Sequence, residues 1–189
     1  MRIIAGKFRS RILKSLKGQS LRPTSDYLRE TLFNVLGPAV DGAQFLDLYA
    51  GTGAVGLEAI SRGASDVVFV ENYAAAVKLI RENLALLKID SDFQIIAASA
   101  VEAFVRLEKY KAPPFDFVFL DPPYAAELEY EMTLEALSES PLISERSVVI
   151  AEHQKRLELD SAYGALQRYR VLKQGDAALS FYRLLKTAA

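Results

Sequence analysis

Between residues 43 and 151 the apolar segments alternate between two periods, and one junction carries a glycine pattern that few arrangements can absorb. Gln44-Phe45-Leu46-Asp47-Leu48 reads as a strand, Tyr49-Ala50-Gly51-Thr52-Gly53-Ala54-Val55-Gly56 as a tight connection, and the residues to Arg62 as a helix closed by Gly63. Gly51-x-Gly53-x-x-Gly56 between a strand and a helix is the fingerprint of a nucleotide-binding βα turn. Glu71 falls twenty positions after Gly51, at the end of the next strand, where an acid can bind ribose hydroxyls.

The alternation continues. Val67–Val70 is the second predicted strand, and Val77, Ile80, Leu84 and Leu87 fall at helical spacing. Phe93–Ile96 is the third strand, and Ser99-Ala100-Val101-Glu102 reads as a capping box for a further helix. Phe115–Leu120 is a nearly all-apolar fourth strand, followed by a helix over about Ala126–Leu137 and a fifth strand at Ser147–Ala151. Gln167–Leu172 and Leu179–Leu185 flank Gly175-Asp176 as an antiparallel hairpin on the sheet edge. The fold class is therefore α/β, a doubly wound, mostly parallel sheet with an antiparallel C-terminal hairpin.

The fourth strand runs into Asp121-Pro122-Pro123-Tyr124. Neither proline has a backbone N–H, and each restricts the residue before it to extended conformations. The result is a stiff tip rich in acceptors, the Asp121 carboxylate and the Pro122 carbonyl, with Tyr124 as an aromatic platform. Such a tip suits a planar amino group, a double donor, on a ring that can stack. Taken alone, the same residues also describe a solvated, proline-stiffened turn.

Asp47, four residues before the glycine loop, leans the choice among adenosine cofactors towards methyl transfer and leaves hydride transfer open. A carboxylate there repels a pyrophosphate and favours a ligand carrying an ammonium and a sulfonium, as S-adenosylmethionine does. Leu57 stands where a phosphate-binding P-loop would place its lysine.

Charge is divided along the chain. Residues 1–40 hold eight Lys/Arg against two Asp/Glu, whereas the remainder holds fifteen against twenty-two. A basic head on an acidic body points to a polyanion. The head is expected to be a basic hairpin over residues 1–24, with short strands within residues 2–17, followed by a helix over about Ser25–Leu36 that opens the second region, residues 25–189. Arg2, Lys7, Arg9, Arg11, Arg22 and Thr24 are the candidate contacts with it, RNA under the resemblance given below; a solvated basic hairpin is the alternative. Arg29 is expected either to join a phosphate-binding edge with Arg22 or to pair with Glu30 or a distant carboxylate.

The 189 residues include no cysteine, which excludes disulfides, cysteine-ligated zinc and a cysteine nucleophile, and fits a reducing compartment. No apolar run reaches the length of a membrane span, and Met1–Lys7 lacks the apolar segment of a signal peptide. A cytoplasmic protein with no membrane partner is the expectation. His153, the single histidine, is expected to be structural.

Asp47-Leu-Tyr-Ala-Gly-Thr-Gly53 followed by Asp121-Pro-Pro-Tyr124 resembles the class I, Rossmann-like methyltransferases that modify exocyclic amino groups. Met1-Arg-Ile-Ile-Ala-Gly-Lys7, Leu21-Arg-Pro-Thr24, Arg29-Glu-Thr-Leu-Phe-Asn34 and Gly56-Leu-Glu58 extend the resemblance to the bacterial RsmD family of 16S rRNA guanine-N2 methyltransferases. It runs nearly end to end and weakens after residue 125. It implies S-adenosylmethionine as donor and a particular guanine, guanine-966 in the usual rRNA numbering, as acceptor. It implies a cofactor site of Asp47, Tyr49, Ala50, Gly51, Thr52, Gly53, Glu71, Asn72, Ser99 and Ala100, and a catalytic tip of Asp121, Pro122 and Tyr124. Ser99 departs from the Asp or Asn that related enzymes often set against the adenine; capping its helix is the alternative role. The implied partner is 16S rRNA or an assembling small subunit, with a monomeric enzyme and no metal. A protein-glutamine methyltransferase, an NAD-dependent oxidoreductase and a non-catalytic RNA-binding module are the rival readings.

Overall fold

A computed structural model describes residues 1–15, 25–123 and 127–185. Lys17, Arg22, Thr24 and Tyr124 lie outside the described residues. The chain divides into two compact units, Met1–Ser99 and Ala100–Ala189.

The first unit is built on three parallel strands, β1 (Gln44–Leu48), β2 (Asp66–Glu71) and β3 (Phe93–Ala97), in the order β3-β2-β1. Every residue of β1 after Gln44 is buried, the pattern of a strand covered on both faces. Helix α2 (Ala54–Ser61) follows β1, and α3 (Ala74–Leu87) follows β2. Gly56 is the point of closest approach between α2 and the sheet. A Cβ there would run into the ring of Phe69 on β2, so only glycine lets the helix lie this low.

Helix α1 (Asp26–Leu36) is capped by Ser25, whose hydroxyl accepts the Leu28 N–H at 3.1 Å. Its apolar face buries Leu28, Leu32, Phe33 and Leu36, and the Phe33 ring stacks on Phe45 at 6.1 Å. Gly37, at φ +61°, ends the helix, and a short 3₁₀ turn over Gly37–Val40 follows.

The described part of the basic head holds one antiparallel bridge, Arg2 with Ile12, in place of the short strands expected. Flanking bonds from the Ile3 N–H to the Arg11 carbonyl and from the Leu13 N–H to the Met1 carbonyl give it a hairpin's course. Its backbone is tied to α2 and α3. The Glu58 carboxylate accepts the N–H groups of Ile4 and Ala5 at 2.8 and 3.0 Å, and Ser61 takes those of Lys7 and Phe8. Asn83 on α3 accepts the Lys14 N–H at 2.8 Å.

Arg29 is fully buried, so it forms no phosphate-binding edge. Its guanidinium donates to the Arg2 carbonyl and to Asp26, and its Nε lies 3.7 Å from the equally buried Glu58 carboxylate. Arg29 thus pairs with a distant carboxylate, Glu58, and more closely with the local Asp26 at 2.9 Å. Glu58 is held as well by Arg62 at 2.7 Å, so each buried charge has more than one partner; stripped of all of them it would cost several kcal/mol, on the order of 3–5.

The second unit opens with α4 (Ala100–Lys109), followed by β4 (Phe117–Leu120), α5 (Glu127–Glu139) and β5 (Val148–Gln154). β4 and β5 are parallel. The chain then returns antiparallel through β6 (Ala162–Tyr163), β7 (Leu166–Gln174) and β8 (Ala177–Leu184), in the order β4-β5-β8-β7-β6. The expected C-terminal hairpin is β7–β8, turning at Gly175 with φ +59°. The two-residue β6 was not legible, being too short to show a period. His153 is structural as expected: it is buried and its ring nitrogens lie 2.9 Å from the Gln154 carbonyl and the Ser180 hydroxyl.

Candidate active site

The glycine loop is shaped by three residues in left-handed conformations, Tyr49 (φ +61°), Gly51 (φ +54°) and Gly53 (φ +76°). Such a φ is nearly free for glycine and costs a tyrosine about 1–2 kcal/mol, strain that the surrounding fold has to hold. The loop is pinned from below. The Ala50 N–H donates to the Val70 carbonyl at 2.9 Å, and the Gly53 N–H to the Ala50 carbonyl at 2.7 Å. The Thr52 carbonyl accepts from the Asn83 amide at 3.1 Å. Asn83 is a residue the sequence reading passed over. Its signal was a polar side chain at 83, three after Ile80 and four before Leu87, inside the buried stripe of α3.

Two carboxylates organise the loop. Asp47 is buried on β1 and accepts the Gly56 N–H at 2.8 Å, one of the N–H groups that the first turn of α2 leaves without a helical partner. Burial pushes its carboxyl up to about 7; the Gly56 bond works against that rise, and the nearby Glu71 charge adds to it. Glu71, at the end of β2, accepts the Gly51 N–H at 2.8 Å through one oxygen and the Tyr73 N–H at 2.7 Å through the other. Glu71 therefore fastens the loop to the strand end, and each of its oxygens retains a lone pair for a hydroxyl. Asn72 beside it is exposed.

These residues fit a cationic adenosine ligand. The buried Asp47 is stabilised as a carboxylate by positive charge, and Glu71 still offers acceptors to a ribose. A pyrophosphate would meet both acids. Ser99 is half-buried and Ala100 buried, at the junction of β3 with α4.

In the second unit, all four residues of β4 are buried, and the strand delivers Asp121 and Pro122 at its carboxyl end. Asp121 is half-buried, Pro122 buried and Pro123 exposed. Leu120 pairs in register with Ala151 of β5, so the tip directly continues a paired strand.

The head's candidate cations face solvent. Arg2, Lys7, Arg9 and Arg11 are all exposed, with the Lys7 ammonium 5.3 Å from the centre of the Phe8 ring.

A parallel sheet with helical crossovers, a glycine loop with an acid at the end of the next strand, and antiparallel closing strands define an S-adenosylmethionine-dependent methyltransferase. The chain matches, over residues 1–183, the family described as conserved hypothetical protein 95. It belongs to that family, the RsmD family. Ribosomal RNA small subunit methyltransferase D of Haemophilus influenzae is 35% identical over 185 residues, which cover 97% of this chain and 92% of that one. The Escherichia coli K12 protein of the same name is 33% identical, over 97% of this chain and 89% of its own length. The solved structure of the Escherichia coli protein yhhF superposes with a TM-score of 0.82 at 33% identity, covering 97% of each chain. The expected family, fold class and methyl donor are thereby borne out.

Proposed function

We propose that this protein methylates small-subunit rRNA, transferring a methyl group from S-adenosylmethionine to the exocyclic N2 of a guanine, guanine-966 by the resemblance. The observation that carries the reading is the donor-poor Asp121-Pro122 tip on the buried β4 strand, in a chain whose relatives include two ribosomal RNA small subunit methyltransferases.

The cofactor, when bound, supplies an electrophilic sulfonium methyl. The chain's own residues do the rest. Asp47, Glu71 and the Tyr49–Gly53 loop hold the donor, with Asn72, Ser99 and Ala100 at the neighbouring strand ends. The Asp121 carboxylate and the Pro122 carbonyl accept the two N2 hydrogens, which fixes the nitrogen and turns its lone pair out of conjugation with the ring. A carbon–nitrogen bond forms as the sulfur–carbon bond breaks. Asp121 stabilises the positive charge growing on nitrogen and receives the proton that leaves. Tyr124 supplies the stacking face, a contact worth about 1–3 kcal/mol. The base has to be unstacked to reach such a tip, so a loop nucleotide is the natural target. Arg2, Lys7, Arg9, Arg11 and Arg22 bind the RNA backbone, with Thr24 beside them. The enzyme works as a monomer in the cytoplasm, without a metal.

Incubation with S-adenosylmethionine and either 16S rRNA or assembling small subunits, followed by nucleoside mass spectrometry, tests this reading. N2-methylguanosine is the expected product. A methyl group found on adenine, cytosine or protein glutamine instead would overturn the guanine assignment.

A further inference from the structure

The basic head is not the chain's single concentration of positive charge. Residues 161–185 carry Arg168, Arg170, Lys173 and Arg183 against one acid, Asp176, whereas residues 41–160 carry ten Lys/Arg against twenty-one Asp/Glu. The second unit carries Arg168, Arg170 and Lys173 on its outermost long strand, β7, and Arg183 on the adjoining β8. β6 pairs with β7 at Leu166 and Gln167 alone, so from Tyr169 onward β7 has no strand on its outer side among the described residues.

A bulge sets the surface. Arg168 pairs with Tyr182 and Arg170 with Phe181, which leaves Tyr169 as the extra residue. Tyr169 is 48% exposed, and the Arg183 guanidinium stacks 4.5 Å from its ring centre. Arg170 lies 5.9 Å from the ring centre of the buried Phe181 beneath. Arg168 is committed elsewhere, to the Leu159 carbonyl at 2.7 Å. Arg170, Lys173 and Arg183 are exposed, and among the described residues none has a carboxylate within ion-pair distance.

Charged side chains on an edge strand also discourage unwanted strand pairing. Guarding an edge works with either sign, however, and the body of this chain is predominantly acidic. Cations of one sign around an exposed tyrosine match a backbone of phosphates with bases that can stack. We propose that the β7–β8 hairpin is a second RNA-contacting surface, with Arg170, Lys173 and Arg183 on phosphates and Tyr169 against an unpaired base. This rests on the rRNA reading above and adds a site that the head does not provide.

The test uses the full chain and a 16S rRNA transcript, with affinity measured across a salt series. Each phosphate contact contributes roughly 0.7–0.9 to the slope of log affinity against log salt, so R170Q/K173Q should flatten it by about 1.4–1.8. R170K/K173R should restore it. Tyr169→Ala should weaken binding with the slope unchanged, and S-adenosylmethionine affinity should match the parent's in every variant. If the parent binds and methylates RNA while R170Q/K173Q keeps its full slope, this surface falls and the rRNA reading stands. If the slope is kept and R170Q/K173Q self-associates in sedimentation, the cations guard an edge, and the inference is likewise overturned. A parent protein that binds no rRNA would sink both.

Discussion

Gly6 lies directly against the backbone carbonyl of Ser61: a Cβ at position 6 would overlap that oxygen, and the residue holds φ at +78°. This contact joins the basic head to α2, beside the bonds from Ile4 and Ala5 to Glu58. A side chain here meets both a disfavoured backbone and an immovable neighbour. Gly6→Ala should cost about 1–2 kcal/mol for the left-handed φ and a further 1–3 kcal/mol or so for overpacking. Gly175 has a similar φ, +59°, with open space around it, so Gly175→Ala should show the backbone cost alone. Urea midpoints at constant slope measure the difference; equal losses at the two positions would remove the Gly6–Ser61 contact from the head's attachment.

Asp47 should make both stability and cofactor affinity depend on pH. Its carboxyl is raised by burial from an ordinary 3.8 to about 7 in the folded protein, so between those values the folded state holds a proton that the unfolded state has lost. Its contribution to stability is full below about pH 4 and is lost as pH rises through 7, with a slope of up to about 1.4 kcal/mol per unit. Asp47→Asn keeps an acceptor for the Gly56 N–H and removes the titration, and should flatten that part of the profile. A cationic ligand favours the ionised form, so S-adenosylmethionine affinity should weaken as pH falls below about 7 in the parent and stay level in the variant. Calorimetric titrations at pH 6 and pH 8 on the two proteins decide it.

Asp121 is separable from cofactor binding. Asp121→Ala should leave S-adenosylmethionine affinity unchanged and slow single-turnover methyl transfer by about a hundred-fold or more, the scale of losing one preorganised polar group. Asp121→Asn retains one acceptor oxygen without its charge and should fall between. A variant that transfers methyl at the parent rate would leave the acceptor tip without a role.

What the sequence determined by itself is what short-range periodicity and steric rules encode. β1 occupies Gln44–Leu48 as its apolar run predicts, and Gly51, Gly53 and Gly56 announce two left-handed turns and one close approach. Asp121-Pro122 ends a buried strand because prolines cannot continue a ladder. Tertiary structure decided which distant groups meet. Arg29 had the composition of an anion site, yet packing placed it in the interior, paired with Asp26 on its own helix and with Glu58, twenty-nine residues on. Glu58 itself reads as an ordinary helical acid until Ile4 and Ala5 bring their N–H groups to it. Asn83, midway along an apolar stripe, gained its purpose from Lys14 and Thr52, and the bulge that exposes Tyr169 exists because β7 and β8 pair in that register. A period needs its own residues alone; the partner of a buried polar group is set by the whole packed chain, because a group left unpaired there costs about 1–3 kcal/mol, a large share of a fold's net stability.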